Sequence, residues 1–208
     1  MTKGKFITID GVEGAGKSTQ IAFIKKYLQK NGIDVILTRE PGGTLLGEGI
    51  RNLLLDNKFH SMNSDTELLL MFAARNEHIY NKILPSLEKG IWVLSDRFTD
   101  ASFAYQGGGR KLALDRIEII EKWVQKKFQA DLTIILDLNV NKGLKRITKR
   151  SEKDRIEKED IDFFNRVRKV FLDRVKKYPN RIKLVDSSKS ISAIKNDIKK
   201  ILDNFIKQ

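Results

Sequence analysis

The feature of this sequence that most restricts its fold is a glycine-rich segment near the amino terminus. Residues 11–18 read Gly-Val-Glu-Gly-Ala-Gly-Lys-Ser and match the pattern G-x-x-x-x-G-K-[ST] at every fixed position. The preceding run, Phe6–Asp10, has the composition of a strand, and Ile21, Ile24 and Leu28 follow at helical spacing. This order predicts a loop whose backbone N–H groups, together with the positive end of the following helix, surround an anion.

Short segments rich in β-branched residues recur along the chain and are predicted to be strands. They are Phe6–Asp10, Asp34–Thr38, Ile91–Ser95, Leu132–Leu138 and Ile182–Val185. Between them apolar residues recur every three to four positions, as in 117–128, 164–175 and 194–205, which predicts amphipathic helices. Because parallel strands need a crossover that can hold a helix, this alternation predicts an α/β domain with about five parallel strands and helices on both faces. Ligands of such sheets bind at the carboxyl ends of the strands.

Length and composition favour one folded domain spanning residues 1–208. Hydrophobic residues make up 40% of the 208, and no proline- or serine-rich linker interrupts them. The lack of cysteine excludes disulfides, a thiolate metal site and a cysteine nucleophile, and two histidines argue against imidazole metal chemistry. The longest apolar run, Leu68–Ala74, is far shorter than the ~20 residues of a membrane span, and the first ten residues do not resemble a signal peptide. We therefore expect a cytoplasmic protein without a membrane partner.

The chain is basic, with 40 Lys and Arg against 27 Asp and Glu and a formal net charge of +13. Most of the excess lies in residues 139–208, which hold 21 basic and 10 acidic residues. A lysine-rich solvated surface on the last helices explains this excess, and so does a polyanionic ligand, which need not be a polymer. A nucleic-acid-stimulated ATPase or a basic binding module is therefore an alternative, which the salt dependence of oligonucleotide binding would test.

Several classes of protein bind nucleotides through such a glycine-rich segment. In all of them the lysine, here Lys17, reaches the terminal phosphates and the hydroxyl, here Ser18, binds Mg²⁺. A GTPase usually carries Asn-Lys-x-Asp, whereas residues 141–144 read Asn-Lys-Gly-Leu. An oligomeric ATPase typically ends an apolar strand with Asp-Glu, whereas here Asp137 is followed by Leu138. Both classes are therefore disfavoured.

Two arginines follow predicted strands directly. Arg39 comes after the second strand and Arg97 after the third, so both are expected where the sheet opens onto its ligand. A kinase for a phosphorylated acceptor needs cations beyond the lysine of the loop, and these arginines are candidates for that site. The structural alternative is an ordinary ion pair with the neighbouring Glu40 or Asp96.

A predicted helix over residues 66–88 places an aromatic ring and an arginine on one face. Leu68, Phe72, Arg75 and Ile79 follow the spacing of three to four residues. Phe72 would then stack on a base while Arg75 donates hydrogen bonds to its carbonyl edge. Without a base, the same spacing is typical of a ring in the core.

A third group of cations lies between two predicted helices and contains Arg146, Lys149, Arg150, Lys153 and Arg155. It is either a solvated turn or a mobile lid over residues 146–157 that brings positive charge to the phosphates and excludes water. The loop itself has Gly14 and Ala15 at positions where a cation could have stood. The missing positive charge must therefore come from elsewhere, which favours the lid.

Taken together, these segments resemble the thymidylate kinases over nearly the whole chain. The matching segments are Gly11–Thr19, Arg39–Thr44, Leu68–Arg75, Asp96–Arg97, Ala104–Arg110, Asp154–Glu157 and Phe163–Arg166. The resemblance implies the three-layer P-loop NTPase fold, phosphoryl transfer from ATP to dTMP with Mg²⁺, a homodimer and no nucleic-acid partner. Another nucleoside monophosphate kinase is the alternative within the same class.

The resemblance also implies roles for individual residues. The residues expected to act in catalysis are Lys17, Arg97, Arg150 and Arg155. Those expected to bind ATP are Gly11, Val12, Glu13, Gly14, Ala15, Gly16, Lys17, Ser18 and Thr19. Those expected to bind dTMP are Glu13, Arg39, Pro41, Arg51, Phe72, Arg75, Asp96, Arg97, Phe98, Ser102, Tyr105 and Gln106. The metal ligands implied are Ser18, Glu13 and Asp96.

Three positions depart from the pattern of the family. Asp10 stands where most members have Glu, Phe98 where most have Tyr or His, and Ala101 where Ser is frequent. Because Phe98 has no hydrogen-bonding group, the way in which the 2′ position of the sugar is enclosed stays open.

Overall fold

The structure is a computed structural model that describes residues 3–147 and 153–207. Its centre is a sheet of five parallel strands in the order β2-β3-β1-β4-β5. The strands are β1 Phe6–Gly11, β2 Val35–Arg39, β3 Trp92–Asp96, β4 Leu132–Asp137 and β5 Ile182–Asp186. All five predicted strands are therefore confirmed, with ends that differ by about one residue.

Helices fill the connections between the strands. In the described ranges they are α1 Lys17–Lys30, α2 Leu45–Leu55, α3 Ser64–His78, α4 Leu84–Glu88, α5 Thr99–Ser102, α6 Leu114–Gln125, α7 Val140–Ile147, α8 Ile161–Lys177 and α9 Ile191–Ile206. A π-helical segment, Ile79–Ile83, joins α3 to α4, and a second, Phe103–Gly109, continues α5. The predicted helix over 66–88 is thus one rod with a π turn inside it.

The two faces of the sheet are covered by different helices. On one face α1 packs against β1, β2, β3 and α9, and α9 also contacts β5. On the other face α4 contacts β3, α5 contacts β1, and α8 contacts β4 and β5. This three-layer α/β arrangement is the predicted one. None of the helices in 3–147 and 153–207 has both the length and the apolar character needed to cross a bilayer.

Successive side chains of β1 pack on opposite faces of the sheet. Phe6 packs with Ile79 and Ile83 of the π-helical segment, whereas Ile7 and Ile9 belong to the larger cluster that includes α1 and α9. Successive side chains of a strand point to opposite faces, so β1 is buried on both sides. The carboxyl end of the sheet is therefore the expected place for a ligand.

Candidate active site

A cavity of about 490 Å³ lies at the carboxyl ends of β1, β2 and β3. Its walls come from the glycine-rich loop, from α2 and α3, and from the segment 154–157. Predicted site residues that line it are Glu13, Gly14, Gly16, Lys17, Ser18, Thr19, Arg39, Pro41, Arg51, Asp96, Arg97, Tyr105, Gln106 and Arg155. The cavity thus joins the predicted ATP site to the predicted acceptor site in one space.

Side chains from distant elements hold the carbonyl groups of the glycine-rich loop. Arg97 Nη1 donates to Gly11 O at 3.1 Å, Arg146 Nη1 donates to Gly14 O at 3.1 Å, and Ser187 Oγ donates to the carbonyl oxygen of Ala15 at 2.5 Å. Gly14 and Gly16 have φ values of 72° and 89°, a conformation that L side chains rarely adopt. Three carbonyls of the loop are thereby bonded to the protein. Of the N–H groups of the loop, that of Ala15 donates to Val12 O at 3.3 Å, and the others are candidates to bind an anion.

Lys17 begins α1 at the base of the cavity. Its Nζ lies 3.5 Å from Gly11 O. Burial lowers the pKa of the Lys17 ammonium, and the nearby guanidinium of Arg97 lowers it further. Two cations this close favour a ligand with several negative charges.

Arg97 connects the glycine-rich loop to the other wall of the cavity. Its Nη2 donates to Glu13 Oε1 at 2.5 Å and to Tyr105 Oη at 2.9 Å, and its Nη1 lies 3.9 Å from Asp10 Oδ1. Burial alone would lower the pKa of Arg97, but Tyr105 and the carboxylates of Glu13 and Asp96 raise it above its usual value. Arg97 therefore remains charged in a buried position.

Two carboxyl groups beside Arg97 are buried with incomplete hydrogen bonding. Neither oxygen of Asp10 has a hydrogen-bond partner among the described residues, and the same holds for Oδ1 of Asp96. Burial raises the pKa of Asp10 well above its ordinary value although Arg97 opposes this. Buried polar atoms are normally satisfied, and of these two residues Asp96 lines the cavity, so its unsatisfied oxygen indicates a position where a ligand, ion or water completes the site.

On the far side of the cavity, Arg75 is buried between two aromatic rings. Its guanidinium carbon lies 4.5 Å from the Phe72 ring centroid and 5.2 Å from that of Phe98. Nε donates to Glu40 Oε2 at 2.8 Å and Nη2 donates to Ser102 Oγ at 2.9 Å, while Nη1 has no partner in the described part of the chain. A rigid donor with one unpaired NH₂ group among the described residues is thus in place.

The family model described as thymidylate kinase matches residues 9–198. The chain belongs to the thymidylate kinase family.

Individual relatives agree with this assignment over almost their full lengths. The chain is 61% identical to a thymidylate kinase of Ruthia magnifica subsp. Calyptogena magnifica over 202 residues, which cover 97% of this chain and 98% of the relative. It is 49% identical to a thymidylate kinase of Nitrosomonas europaea over 205 residues, which cover 99% of this chain and 95% of the relative. The crystal structure of thymidylate kinase from Ehrlichia chaffeensis superposes with a TM-score of 0.79 at 35% identity and covers 97% of this chain and 99% of that one. The predicted P-loop NTPase fold is confirmed.

The structure corrects where several predicted residues lie in this thymidylate kinase fold. Phe72 packs in the core with Leu68 and Phe103, and Phe98 packs edge-on against Phe6 with 4.8 Å between ring centroids. Both rings are buried in the core instead of forming the cavity wall. The predicted contacts of Phe72 and Phe98 with the substrate therefore stay predictions.

Arg75 and Ser102 also lie behind the wall, and within the loop Gly11, Val12 and Ala15 are backbone supports that do not line the cavity themselves. The ion pairs expected for the strand-end arginines are different as well. Arg39 pairs with Glu48 at 2.7 Å rather than with Glu40, which is buried against Arg75 and His78. The partner of Arg97 is Glu13, not Asp96.

One residue of the predicted lid is bonded to the body of the domain. Arg155 is buried, donating to Leu54 O at 2.8 Å and to Glu67 Oε2 at 2.6 Å, so it anchors the segment 154–157 to α2 and α3. Its role as a cation at the phosphates stays a prediction. Lys149 and Arg150, also predicted for the lid, lie outside the described residues, while Arg146 contacts the glycine-rich loop.

Sequence reasoning missed the carboxylate at the centre of this network. Glu67 lines the cavity and accepts hydrogen bonds from Gln106, Arg110 and Arg155. These partners lie 39, 43 and 88 residues away along the chain, so no local spacing reveals the cluster. The one available signal was its position directly before the matching segment that begins at Leu68.

Proposed function

We propose that this protein transfers the γ-phosphoryl group of ATP to dTMP, giving ADP and dTDP for dTTP synthesis. The observation that carries the proposal is the position of Arg97, which bonds to the glycine-rich loop and to Tyr105 in one continuous cavity. A guanidinium at this point can hold the acceptor phosphate opposite the phosphates on the loop. The thymidylate kinase relatives agree with this choice of substrates.

The chemistry requires little from protein bases. A phosphate monoester has a second pKa near 6, so the acceptor oxygen is already a nucleophile at neutral pH. That oxygen attacks the γ-phosphorus, and the bond to the β–γ bridging oxygen breaks to release ADP. The protein's task is to bring two anions into line and to neutralise the charge that spreads over the transferred group. Lys17 and Arg97 supply positive charge for this step, and Arg150 remains the candidate from the lid.

The donor set in the cavity fits Mg²⁺. This ion prefers oxygen ligands and usually takes one or two carboxylates together with phosphates and water, rather than a cage built by the protein. Ser18 would supply a hydroxyl, and Glu13 and Asp96 would supply carboxylates. The buried Oδ1 of Asp96, which has no partner in the described structure, is the observation that supports this assignment. When bound, the ion would offset charge on the ATP phosphates.

Exposed apolar side chains support a homodimer. Leu69 of α3 and Ile119 and Trp123 of α6 are all more than half exposed, with Trp123 at 78%. Because α3 packs against α6, these residues lie on neighbouring helices. We propose that a second copy covers this surface. Light scattering should report a dimer for the wild type and a monomer for Trp123→Lys, whereas a monomeric wild type at micromolar concentration would refute the proposal.

The test of the reaction is a coupled assay with dTMP, dUMP, UMP, AMP and GMP. We expect a preference for dTMP, with modest discrimination against dUMP because one methyl group is worth only ~1–3 kcal/mol. Preference for another monophosphate would indicate a different nucleoside monophosphate kinase. Hydrolysis of ATP without any acceptor, together with salt-sensitive oligonucleotide binding, would favour the nucleic-acid alternative.

The acceptor-phosphate assignment is tested separately. Arg97→Ala should lower kcat/KM for dTMP by about 10²-fold or more, since it removes a preorganised charged donor. Arg116→Ala is the matched control, because the Arg116 side chain is exposed and forms a surface ion pair with Asp65 at 3.0 Å. Unchanged kcat/KM in Arg97→Ala would show that another group holds the acceptor phosphate.

A further inference from the structure

The side-chain amide of Gln106 has a hydrogen-bond partner at only one of its two ends in the described structure. Gln106 lines the cavity and is only 2% exposed. Its Nε2 donates to Glu67 Oε1 at 2.8 Å, but its Oε1 is buried with no hydrogen-bond partner among the described residues. One end of the amide is therefore held by the protein, and the other end is left as an acceptor.

The ionised state of Glu67 decides which end of the amide is held. Burial opposes ionisation of Glu67, but the charge of Arg110, the hydrogen bond from Gln106 and the charge of Arg155 outweigh it and lower its pKa. An ionised carboxylate can only accept hydrogen bonds. The NH₂ group of Gln106 must therefore face Glu67, because a flipped amide would place two acceptor oxygens against each other.

The fixed amide is close to a second incomplete group. Arg75 donates through Nη2 to Ser102, which lies about one helical turn before Gln106, and Arg75 Nη1 is itself a buried donor with no partner in the described chain. Only Gln106 of this pair lines the cavity, so its oxygen is the fixed acceptor there, while Arg75 lies behind the wall. Thymine offers the matching donor at N3–H, whereas cytosine has an acceptor at N3.

We propose that Glu67 is a positioning residue for base selectivity, which orients the Gln106 amide so that its carbonyl oxygen faces the base. This inference rests on the proposed function, since it assumes that a pyrimidine monophosphate occupies the cavity. Glu67 acts through Gln106 and does not touch the base itself. Arg110 and Arg155 contribute by keeping Glu67 ionised and in place.

The test is Glu67→Gln, measured as the dissociation constants of dTMP, dUMP and dCMP by calorimetry. A neutral amide at position 67 can present either its oxygen or its nitrogen, so Gln106 loses its reason to keep one orientation. We expect the ratio of dCMP to dTMP dissociation constants to fall by about tenfold or more, because each wrong orientation leaves a buried polar group unpaired. If the role of Glu67 is purely structural, Glu67→Gln should weaken the binding of all three nucleotides equally and leave the ratio of dissociation constants unchanged.

Glu159→Gln is the matched control. Glu159 accepts from Arg110 Nη1 at 2.5 Å but makes no hydrogen bond to Gln106 in the described structure. Its removal takes one carboxylate from the same arginine, and the dCMP to dTMP ratio should not change. If the ratio falls equally in both variants, charge near Arg110 explains the effect and the inference is wrong.

A second variant covers the case in which Glu67→Gln does not fold. Gln106→Met keeps a similar volume without the amide and should also reduce the ratio. A retained ratio in Gln106→Met, or in a folded Glu67→Gln, overturns the inference. The wild-type dissociation constants separate failure of this inference from failure of the proposed function. A wild type that binds dTMP no better than dCMP would contradict the proposed substrate itself.

Discussion

The glycine-rich loop packs tightly against a glycine of α7, Gly143. A Cβ atom added at Gly143 would lie 2.4 Å from Glu13 O, and one added at Gly14 would lie 2.2 Å from Gly143 O. Gly143 is in the body of a helix, where glycine is less favourable than alanine by ~1 kcal/mol. Its presence is explained by the contact, so we predict that Gly143→Ala displaces the loop.

The size of the effect follows from the overlap. Ordinary contacts of a Cβ atom begin near 3.4 Å, so an alanine at 143 requires Glu13 O or α7 to move by about 1 Å. Both are backbone, which cannot rotate away as a side chain can. A misplacement of about 1 Å in a site that works by positioning can cost ~10²-fold in rate. Overpacking of this kind also destabilises a fold by ~1–3 kcal/mol.

The assay is steady-state kinetics with saturating dTMP and varied ATP, together with thermal unfolding. Gly143→Ala should lower kcat/KM for ATP by about 10²-fold and lower Tm. The control is Gly49→Ala in α2, where an added Cβ meets nothing within 4 Å and should stabilise by ~1 kcal/mol, raising Tm by about 2–4 °C without a kinetic effect. The reasoning is refuted if Gly143→Ala keeps wild-type kinetics and gains stability as Gly49→Ala does.

Three further predictions concern stability and the lid. Burial would raise the pKa of Asp100, but the charges and hydrogen bonds of Arg174 and Arg181 together lower it from 3.8 to about 2. About 2 kcal/mol of stability that is present above pH ~4 should therefore be lost as the pH falls towards 2, which acid unfolding of wild type and Asp100→Asn would check. Asp160 caps α8 by accepting from a backbone N–H group, so Asp160→Ala should lower the free energy of unfolding by ~1 kcal/mol in denaturant titrations. Arg155→Ala should lower Tm because it leaves buried partners unpaired. Arg150→Ala should slow turnover more than it weakens dTMP binding. If instead Arg155→Ala slowed turnover and Arg150→Ala only lowered Tm, Arg155 would be the phosphate-binding cation.

The parts of the fold that depend on local pattern could be predicted from the sequence. Strand positions follow from short apolar runs, and the glycine-rich loop follows from a contiguous motif, because its function requires those residue types at fixed spacing. Arg97 was also accessible to prediction, since the carboxyl ends of parallel strands meet at one edge of the sheet. In each case the information lies within about ten residues or follows from a general rule of topology.

Periodicity could not decide which apolar residues meet the ligand. Helical spacing correctly places Phe72 and Arg75 on one face, but the same pattern arises whether that face meets a cavity or the core. The π-helical segment Ile79–Ile83 also changes which residues share a face before and after it, and apolar spacing does not reveal such a turn. The position of Phe98 depends on Phe6, which is far away in sequence and whose ring it contacts across the sheet.

The ion pairs of the arginines determine how much positive charge the site offers to a phosphate. Arg75, Arg110 and Arg155 are each bound to a buried carboxylate, Glu40 or Glu67, so their charge is largely balanced within the protein. A balanced guanidinium contributes shape and hydrogen bonds, but little net attraction for a phosphate. Lys17 contributes differently, because burial and the nearby guanidinium of Arg97 make its ammonium a costly charge that an anion relieves. Counting basic residues near a phosphate site therefore overstates its attraction for nucleotides, and the carboxylates buried beside them identify which cations fix geometry and which bind ligand.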